Sequence, residues 1–317
     1  MSMRKNFIGF ASAFSHRLSL DFLARITGQQ FIIPFYHIVS DDDCLHVKHL
    51  YSYKGVKAFE RDIDYLAKEY QPIAATDLPA VLAGKYNKQK IMLLTFDDGL
   101  REMYEVVAPI LLRKGIPAVF FLNTDYIDNQ GLMFRYKVSL LIDTYLKKGI
   151  DKSTLLNIRS IAELEKEKSI VDFNAYLKSH RPYMTSLQIK SLIAQGFAVG
   201  SHSVSHPYYE DINIEKQLSE TLDSLAILKR DFDIEQNLFA FPFTDSGVST
   251  QFFEQIFAKG NVDFSFGGAG IKKDVHPRQL QRVPMEGWQA TAEQILKSEY
   301  LYFLMRMPLF QNTIGRV

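Results

Sequence analysis

The chain has 317 residues, of which 47% are hydrophobic and 23% are charged. These values are typical of a globular protein, and the length allows one large barrel domain or two smaller domains. The net charge of +1 gives no indication of a nucleic-acid partner, which would require a clustered basic face. Because Cys44 is the only cysteine, an internal disulfide and a thiolate metal cluster are excluded, and a reducing compartment fits.

Residues 1–30 are predicted to form a short helical lead-in. The apolar run at residues 7–10 is too short for a signal peptide, and His16 and Arg17 follow it closely. No segment of the sequence approaches the roughly 20 apolar residues that are needed to span a bilayer. We therefore expect a cytoplasmic protein that has no transmembrane segment.

Strand-like apolar runs and helical patterns alternate after this lead-in. The predicted elements are a strand at residues 31–39, a helix at 56–70, a strand at 91–96, a helix at 100–114 that Gly115 closes, and a strand at 118–122. This alternation indicates an α/β fold with parallel strands.

Residues 124–184 interrupt the alternation with charged, helix-compatible sequence. We expect a helical insertion on the rim of the fold that serves as a solvated structural arm. The alternation resumes where Thr185 caps a helix that ends at Gly196. Further strands are predicted at residues 197–199, 238–243 and 262–266.

Residues 291–317 are predicted to form a C-terminal apolar helix. The aromatic and apolar run at residues 299–310 is too short to cross a membrane. Such a run commonly seals the bottom of a fold against its core. It could also dock on the inner face of a membrane or on a second subunit.

Two clusters of chemically active side chains follow apolar strands. Asp97 and Asp98 end the strand at 91–96, and His202 and His206 follow the strand at 197–199. One aspartate and two histidines are the ligand set of a divalent metal with open positions, and the second aspartate is then a natural base. In parallel α/β barrels, active sites form at the carboxyl ends of the strands. The residues therefore predict a metal-dependent hydrolase.

The motifs Thr95-Phe96-Asp97-Asp98-Gly99 and His202-Ser203-Val204-Ser205-His206-Pro207 resemble those of the polysaccharide deacetylases, which share the NodB homology domain. The resemblance implies a distorted (β/α) barrel with fewer than eight strands. We expect it over residues 31–290, with the insertion at about 124–184. The implied activity is hydrolysis of N-acetyl groups on an amino-sugar-containing carbohydrate, with release of acetate.

The resemblance also assigns roles to residues. Asp98, His202 and His206 would hold one divalent metal ion, and Asp97 would be the base that deprotonates the attacking water. The metal is expected to be zinc, with nickel, cobalt and iron as alternatives. The segment at 239–243 is similar to the family's third motif, in which the backbone N–H of an aromatic residue contacts the oxyanion. That residue is Phe243 here.

The sequence departs from the family pattern in two places. Ala240 stands where the third motif carries an arginine, so Arg282 becomes the candidate for contact with the base. The family usually places a general-acid histidine late in the chain, where only His276 is found. The early segment Phe35-Tyr36-His37-Ile38 instead resembles the Tyr-His motif of a circularly rearranged subgroup, which includes deacetylases of biofilm poly-N-acetylglucosamine. His37 is therefore our predicted general acid.

Three alternatives stay open at this stage. A metal-dependent amidase or esterase could use the same site on a non-sugar acyl substrate. An Fe(II) oxygenase uses two histidines and one carboxylate, but it has no need of Asp97. A non-catalytic saccharide-binding barrel would account for Ala240 in place of arginine. In the cytoplasm, a soluble N-acetylated sugar or a lipid-linked saccharide at the inner membrane face fits better than a cell-wall polymer.

Overall fold

Parallel strands arranged around a barrel dominate the computed structural model. The structure describes residues 18–86, 88–159, 161–164, 171–258, 261–287, 289–309 and 311–316. Within these ranges the strands are β1 (Phe31–Ile32), β2 (Pro34–Tyr36), β3 (Gln71–Pro72), β4 (Ile91–Met92), β5 (Leu94–Phe96), β6 (Ala118–Leu122), β7 (Ala198–Ser201), β8 (Leu238–Ala240), β9 (Phe264–Gly267), β10 (Lys273–Asp274), β11 (Gln279–Gln281), β12 (Val283–Pro284) and β13 (Thr313–Ile314).

Eight of these strands form one parallel sheet in the order β11-β9-β8-β7-β6-β5-β2-β12. The two ends of this order, β11 and β12, are consecutive in the chain and are separated by Arg282 alone. The sheet is therefore a nearly closed ring, and the expected distorted (β/α) barrel is confirmed. Because β11 and β12 are halves of one stretch, the ring of eight strands is made of seven segments of chain, which is fewer than eight.

A second, smaller parallel sheet extends two of the barrel strands backwards. β1 lies directly before β2 in the chain, and β4 lies directly before β5. In the smaller sheet β4 pairs with β1 on one side and with β3 on the other. Ile33 and Leu93 separate the two parts of each extended strand. The strand predicted at 31–39 is therefore found as β1 and β2, which end at Tyr36, and the strand predicted at 91–96 is found as β4 and β5. Each divides its pairing between two sheets.

Helices cover the outside of the barrel. The α-helices of the described residues are Leu20–Thr27, Val56–Glu69, Leu78–Leu82, Ala108–Lys114, Phe134–Lys147, Ile161–Leu164, Phe173–His180, Ser186–Ala194, Ile214–Phe232, Thr250–Phe257 and Ala292–Arg306. Their apolar faces and the outer face of the sheet form the largest core cluster, which includes Phe96, Phe120 and Phe239. A second cluster, which includes Leu93, Val119, Phe121 and Phe266, draws on the alternate strand residues.

Two predicted helices differ from the observed ones at prolines. The helix expected at 100–114 begins as a π-helical segment, Met103–Val107, and continues as the α-helix Ala108–Lys114. Pro109 has no N–H to donate to the carbonyl of Glu105. The C-terminal helix expected at 291–317 ends at Arg306, close to Pro308, and the chain returns as β13 beside β10.

The predicted lead-in at residues 1–30 and the predicted C-terminal helix are each found in part. Residues 1–17 of the expected lead-in lie outside the described residues, and the helix Leu20–Thr27 follows them. The C-terminal helix packs on that helix and on Val56–Glu69, with Tyr300 and Phe303 buried. Met305 is exposed, and Phe310 of the run at 299–310 is not described. No helix in the described ranges is long and apolar enough to cross a membrane.

The described residues of the insertion at 124–184 include the helices Phe134–Lys147, Ile161–Leu164 and Phe173–His180, but the expectation of a solvated arm is wrong. The helix Phe134–Lys147 is buried along much of its length, including Tyr136 and Val138. Its side chains contribute to two separate apolar clusters beside the barrel. The solvated arm was inferred from the charged run at residues 162–167, which does not include the buried helix Phe134–Lys147. Residues 165–167 lie outside the described residues.

Candidate active site

Each side chain that the sequence assigns to the site follows the carboxyl end of a barrel strand. Asp97 and Asp98 follow β5, His202 follows β7 and His37 follows β2. Phe243 comes three residues after the end of β8. Because the strands are parallel, these ends lie on one rim of the barrel, which is where the sequence placed the site.

Asp98, His202 and His206 form a compact group on this rim. Oδ1 of Asp98 lies 3.5 Å from Nε2 of His202 and 3.3 Å from Nε2 of His206. The donor atoms of the three side chains lie within 4.8 Å of one another, and all three residues are buried. Carboxylate oxygen and imidazole nitrogen are common ligands of zinc and similar ions. The predicted ligand set is therefore assembled.

The hydrogen bonds of this group fit a bound cation. Nδ1 of His202 lies 2.8 Å from the carbonyl oxygen of Ala240, which can only accept, so Nδ1 carries a proton. Burial lowers the pKa of His202 to about 4, and its ring is neutral at pH 7. The lone pair on Nε2 then faces Asp98 Oδ1, a buried atom that accepts no hydrogen bond from the described residues. A cation between them would relieve this repulsion.

Asp97 is held by Arg282 in a two-pronged ion pair. Nη1 and Nη2 of Arg282 donate to Oδ1 and Oδ2 of Asp97 over 2.6 and 2.8 Å. Burial opposes ionisation of Asp97, but the charge and the hydrogen bonds of Arg282 hold its pKa below the ordinary value. Both partners of the ion pair are only 1–2% exposed. The arginine missing at Ala240 is thus supplied from the junction of β11 and β12.

His37 is paired with Glu286, which the sequence reading missed. Nδ1 of His37 lies 2.7 Å from Oε2 of Glu286, and the backbone N–H groups of His37 and Ile38 also donate to this carboxylate. Burial lowers the pKa of His37, but the hydrogen bond to Glu286 and the nearby aspartates raise it to about 9. The His37 ring is therefore protonated at neutral pH.

The loop that carries both histidines is tied to the helix Ile214–Phe232. The backbone N–H and the hydroxyl of Ser205 donate to the two carboxylate oxygens of Glu220 over 2.8 and 2.9 Å. The N–H of His206 donates to the hydroxyl of Ser203 at 3.0 Å. Glu220 is fully buried beneath the loop. These bonds fix the turn that brings His206 beside His202.

Three site residues have left-handed backbone conformations. The φ angles are 76° for Asp98, 61° for His206 and 54° for Phe243. This region is accessible to Asp and His but unfavourable for a bulky aromatic residue, and it costs about 1–3 kcal/mol per residue. Backbone strain therefore coincides with the candidate site.

An aromatic wall, formed by Tyr208 and Phe243, stands beside the histidines. The two rings stack with their centroids 3.7 Å apart, and the His206 ring meets Phe243 in an edge-to-face arrangement with centroids 4.4 Å apart. The guanidinium of Arg159, from the insertion, lies 4.4 Å from the centre of the Tyr208 ring. Phe243 is still 38% exposed. The wall offers an accessible apolar surface next to the candidate ligands.

Other residues do not contribute where the sequence suggested they could. His276, the alternative acid, stacks on Phe253 instead. Glu286 could have been recognised as a carboxylate that follows a strand end, two residues after β12. Tyr136, whose hydroxyl donates to Asp98 Oδ2 at 2.8 Å, carried no signal because it lies inside the insertion.

A comparison with protein-family models matches residues 84–259, more than half of the chain, to the model described as Polysaccharide deacetylase. The matched stretch contains Asp97, Asp98, His202 and His206, and it leaves out His37. The chain therefore belongs to the polysaccharide deacetylase family.

A curated relative and two solved structures are similar to the chain. A putative polysaccharide deacetylase, YxkH of Bacillus subtilis, is 21% identical over 212 residues, which is 66% of this chain and 55% of that protein's length. The Streptococcus pyogenes deacetylase PplD, solved in complex with acetate, is 17% identical, with 85% of this chain and 97% of that chain covered and a TM-score of 0.58. IcaB from Ammonifex degensii is 17% identical, with 86% and 97% covered and a TM-score of 0.57. These two structures support the barrel fold.

Proposed function

We propose that this protein is a metal-dependent N-deacetylase that removes acetyl groups from an amino-sugar-containing carbohydrate. The observation that carries the proposal is the arrangement of two oppositely charged groups around the buried ligand set. Asp97 is held ionised by Arg282, and His37 is held protonated by Glu286. Family membership supports the same chemistry.

Hydrolysis of an amide needs a base, a stabilised oxyanion and a proton for the leaving amine. In the proposed reaction Asp97 removes a proton from the attacking water, and the C–N bond then breaks as His37 donates its proton to the amine nitrogen. The products are acetate and a free amine. The backbone N–H of Phe243 is our proposed donor to the oxyanion, and its turn is held by the stack on Tyr208.

Asp98, His202 and His206 are the proposed metal ligands. A divalent ion held there would lower the pKa of water and polarise the acetyl carbonyl. Zinc is the proposed ion, because two imidazoles and one carboxylate with open positions suit it, while nickel, cobalt and iron are accepted by similar ligands.

The aromatic wall favours a sugar over a small acyl substrate. The exposed ring of Phe243 provides a flat apolar surface on which the C–H face of a sugar ring can pack. The proposed substrate is a soluble N-acetylated sugar or a lipid-linked saccharide. The cytoplasmic location and a membrane or subunit contact through residues 299–310 stay predictions as well.

The direct experiment measures acetate release from N-acetylated oligosaccharides by the purified protein loaded with zinc. We expect release that is lost on chelation and restored by added metal. Release from aryl acetates but from no acetylated amino sugar would favour the esterase alternative. Tight saccharide binding without turnover would favour the non-catalytic barrel.

Two isosteric variants separate the proposed roles of the aspartates. Asp97→Asn should retain zinc and lose most of the rate, because it removes only the base. Asp98→Asn should lose zinc affinity as well as activity, because the amide is a poor ligand. Equal loss of zinc from both variants would show that this division of roles is incorrect.

A further inference from the structure

The insertion at 124–184 reaches the candidate metal group through a single hydroxyl. Tyr136 lies in the first turn of the helix Phe134–Lys147, and its hydroxyl donates to Oδ2 of Asp98 at 2.8 Å. The Tyr136 side chain is almost completely buried. It is separated from Asp98 by 38 positions in the chain, so this contact joins two parts of the fold.

The two oxygens of the Asp98 carboxylate have different surroundings. Oδ1 faces the Nε2 atoms of His202 and His206 and accepts no hydrogen bond from the described residues. Oδ2 accepts the hydroxyl of Tyr136. The carboxylate is 4% exposed, so water cannot readily replace this donor. Tyr136 therefore fixes the rotation of the carboxylate and leaves Oδ1 directed at the histidines.

The position of the Tyr136 ring is itself fixed by aromatic packing. The ring of His46 meets it edge-on, with centroids 5.1 Å apart, and Tyr183 lies roughly parallel at 6.1 Å. Burial of His46 lowers its pKa to about 4, so this neighbour is neutral at pH 7. Because these two rings pack against Tyr136, its hydroxyl has little freedom to move away from Asp98.

We propose that Tyr136 is a positioning residue that orients Asp98 as a metal ligand and thereby makes the insertion a part of the metal site. This inference rests on the proposed metal-binding function. Groups that hydrogen-bond to a metal ligand typically change metal affinity by about 10–100-fold when they are removed. Removal of the Tyr136 hydroxyl leaves a buried carboxylate oxygen without a donor and frees the carboxylate to rotate away from the histidines.

The experiment compares zinc affinity in Tyr136→Phe and Tyr209→Phe by competition with a chromophoric chelator. Tyr209 is a matched control, because it is equally buried and its hydroxyl also makes a 2.8 Å hydrogen bond, in this case with Thr221. We expect the dissociation constant to rise by about 10–100-fold in Tyr136→Phe and to be unchanged in Tyr209→Phe. Activity of Tyr136→Phe should recover at least in part when the zinc concentration is raised.

The outcomes distinguish the two proposals. If the wild-type protein binds no divalent ion, the proposed function fails. If the wild type binds zinc and Tyr136→Phe binds it equally well, only the role of Tyr136 is overturned. Should Tyr136→Phe fail to fold, tyrosine labelled with ¹³C at Cζ can be followed in the wild type. We expect a Cζ resonance that responds to zinc and that is retained in Tyr51→Phe and Tyr208→Phe, two other tyrosines near the site. The absence of such a resonance would contradict the proposal.

Discussion

Two ion pairs set the protonation of the proposed base and the proposed acid in opposite directions. The guanidinium of Arg282 favours the ionised form of Asp97, and the carboxylate of Glu286 favours the protonated form of His37. Both forms are therefore present together at neutral pH. Such a pair of titrating groups gives a bell-shaped dependence of rate on pH.

The variant Glu286→Gln tests the acid. The pKa of His37 is raised to about 9, and the active form is the protonated one, so the wild-type rate should fall on the alkaline side near pH 9. Without the Glu286 carboxylate, only the charges of Asp98 and Asp97 oppose the lowering of the His37 pKa by burial, so the pKa should fall. We expect the alkaline limb of kcat on an amide substrate to move to lower pH, with zinc content unchanged.

Asp143→Asn is a suitable control, because Asp143 contacts His49 at 3.2 Å, a histidine outside the proposed reaction. The pH profile of Asp143→Asn should match that of the wild type.

The pairing of His37 with Glu286 also affects the stability of the fold. A pKa raised in the folded state contributes stability that is complete below the unfolded value of 6.5 and is lost as pH rises through about 9. An unshifted alkaline limb in Glu286→Gln would contradict the assignment of His37.

Side chains at strand ends could be predicted from the sequence, whereas their partners could not. Asp97, Asp98 and His202 each follow a short apolar run, which marks them individually. Glu286 is 249 positions away from His37, and no local pattern connects the two residues. Pairing across the closed ring depends on which strands become neighbours, and periodicity reports burial rather than neighbours.

At the scale of elements, β7 can deliver His202 only because Gly200 leaves room for its neighbours. A Cβ at Gly200 would lie 2.6 Å from the Phe121 ring and 2.9 Å from the carbonyl oxygen of Leu238. Gly200→Ala should therefore destabilise the protein by about 1–3 kcal/mol, as overpacked cores do. Chemical denaturation measures this loss, and weaker zinc binding should accompany it.

Gly315→Ala provides the matching control, since an added Cβ there meets no atom within 4 Å. Its free energy of unfolding should stay close to that of the wild type. If Gly200→Ala were equally harmless, the close packing of β7 against β6 and β8 would not be what positions His202.

The order of elements was predictable, but the breaks inside them were not. The capped helix after Thr185 is found as Ser186–Ala194, and the strand at 118–122 is found as β6. Ile33 and Leu93 each lie inside an apolar stretch at the point where the backbone changes its pairing partner. Such a change leaves the hydrophobic pattern intact, so the sequence gives no sign of it.

For the molecule as a whole, the proposed metal should add stability without being required for folding. The core is built from helices packed on the barrel, away from the rim. A zinc concentration 100 times the dissociation constant should raise the free energy of unfolding by about 2.7 kcal/mol. His202→Ala should remain folded and lose this increment, because two ligands rarely retain a divalent ion.

Denaturation curves with zinc and with a chelator measure both effects. Loss of folded structure on chelation would show that the metal is a structural support of the barrel. Stoichiometric zinc retained by His202→Ala would show that the ligands are wrongly assigned.

The segment that completes the ring also has a bearing on protein synthesis. Arg282 is 185 positions beyond Asp97, and Glu286 follows it closely. A nascent chain therefore emerges from the ribosome with its aspartates and histidines long before the proposed base and acid have their partners. The enzyme should be inactive for most of its translation, and a chain arrested before residue 282 should release no acetate even when zinc is supplied.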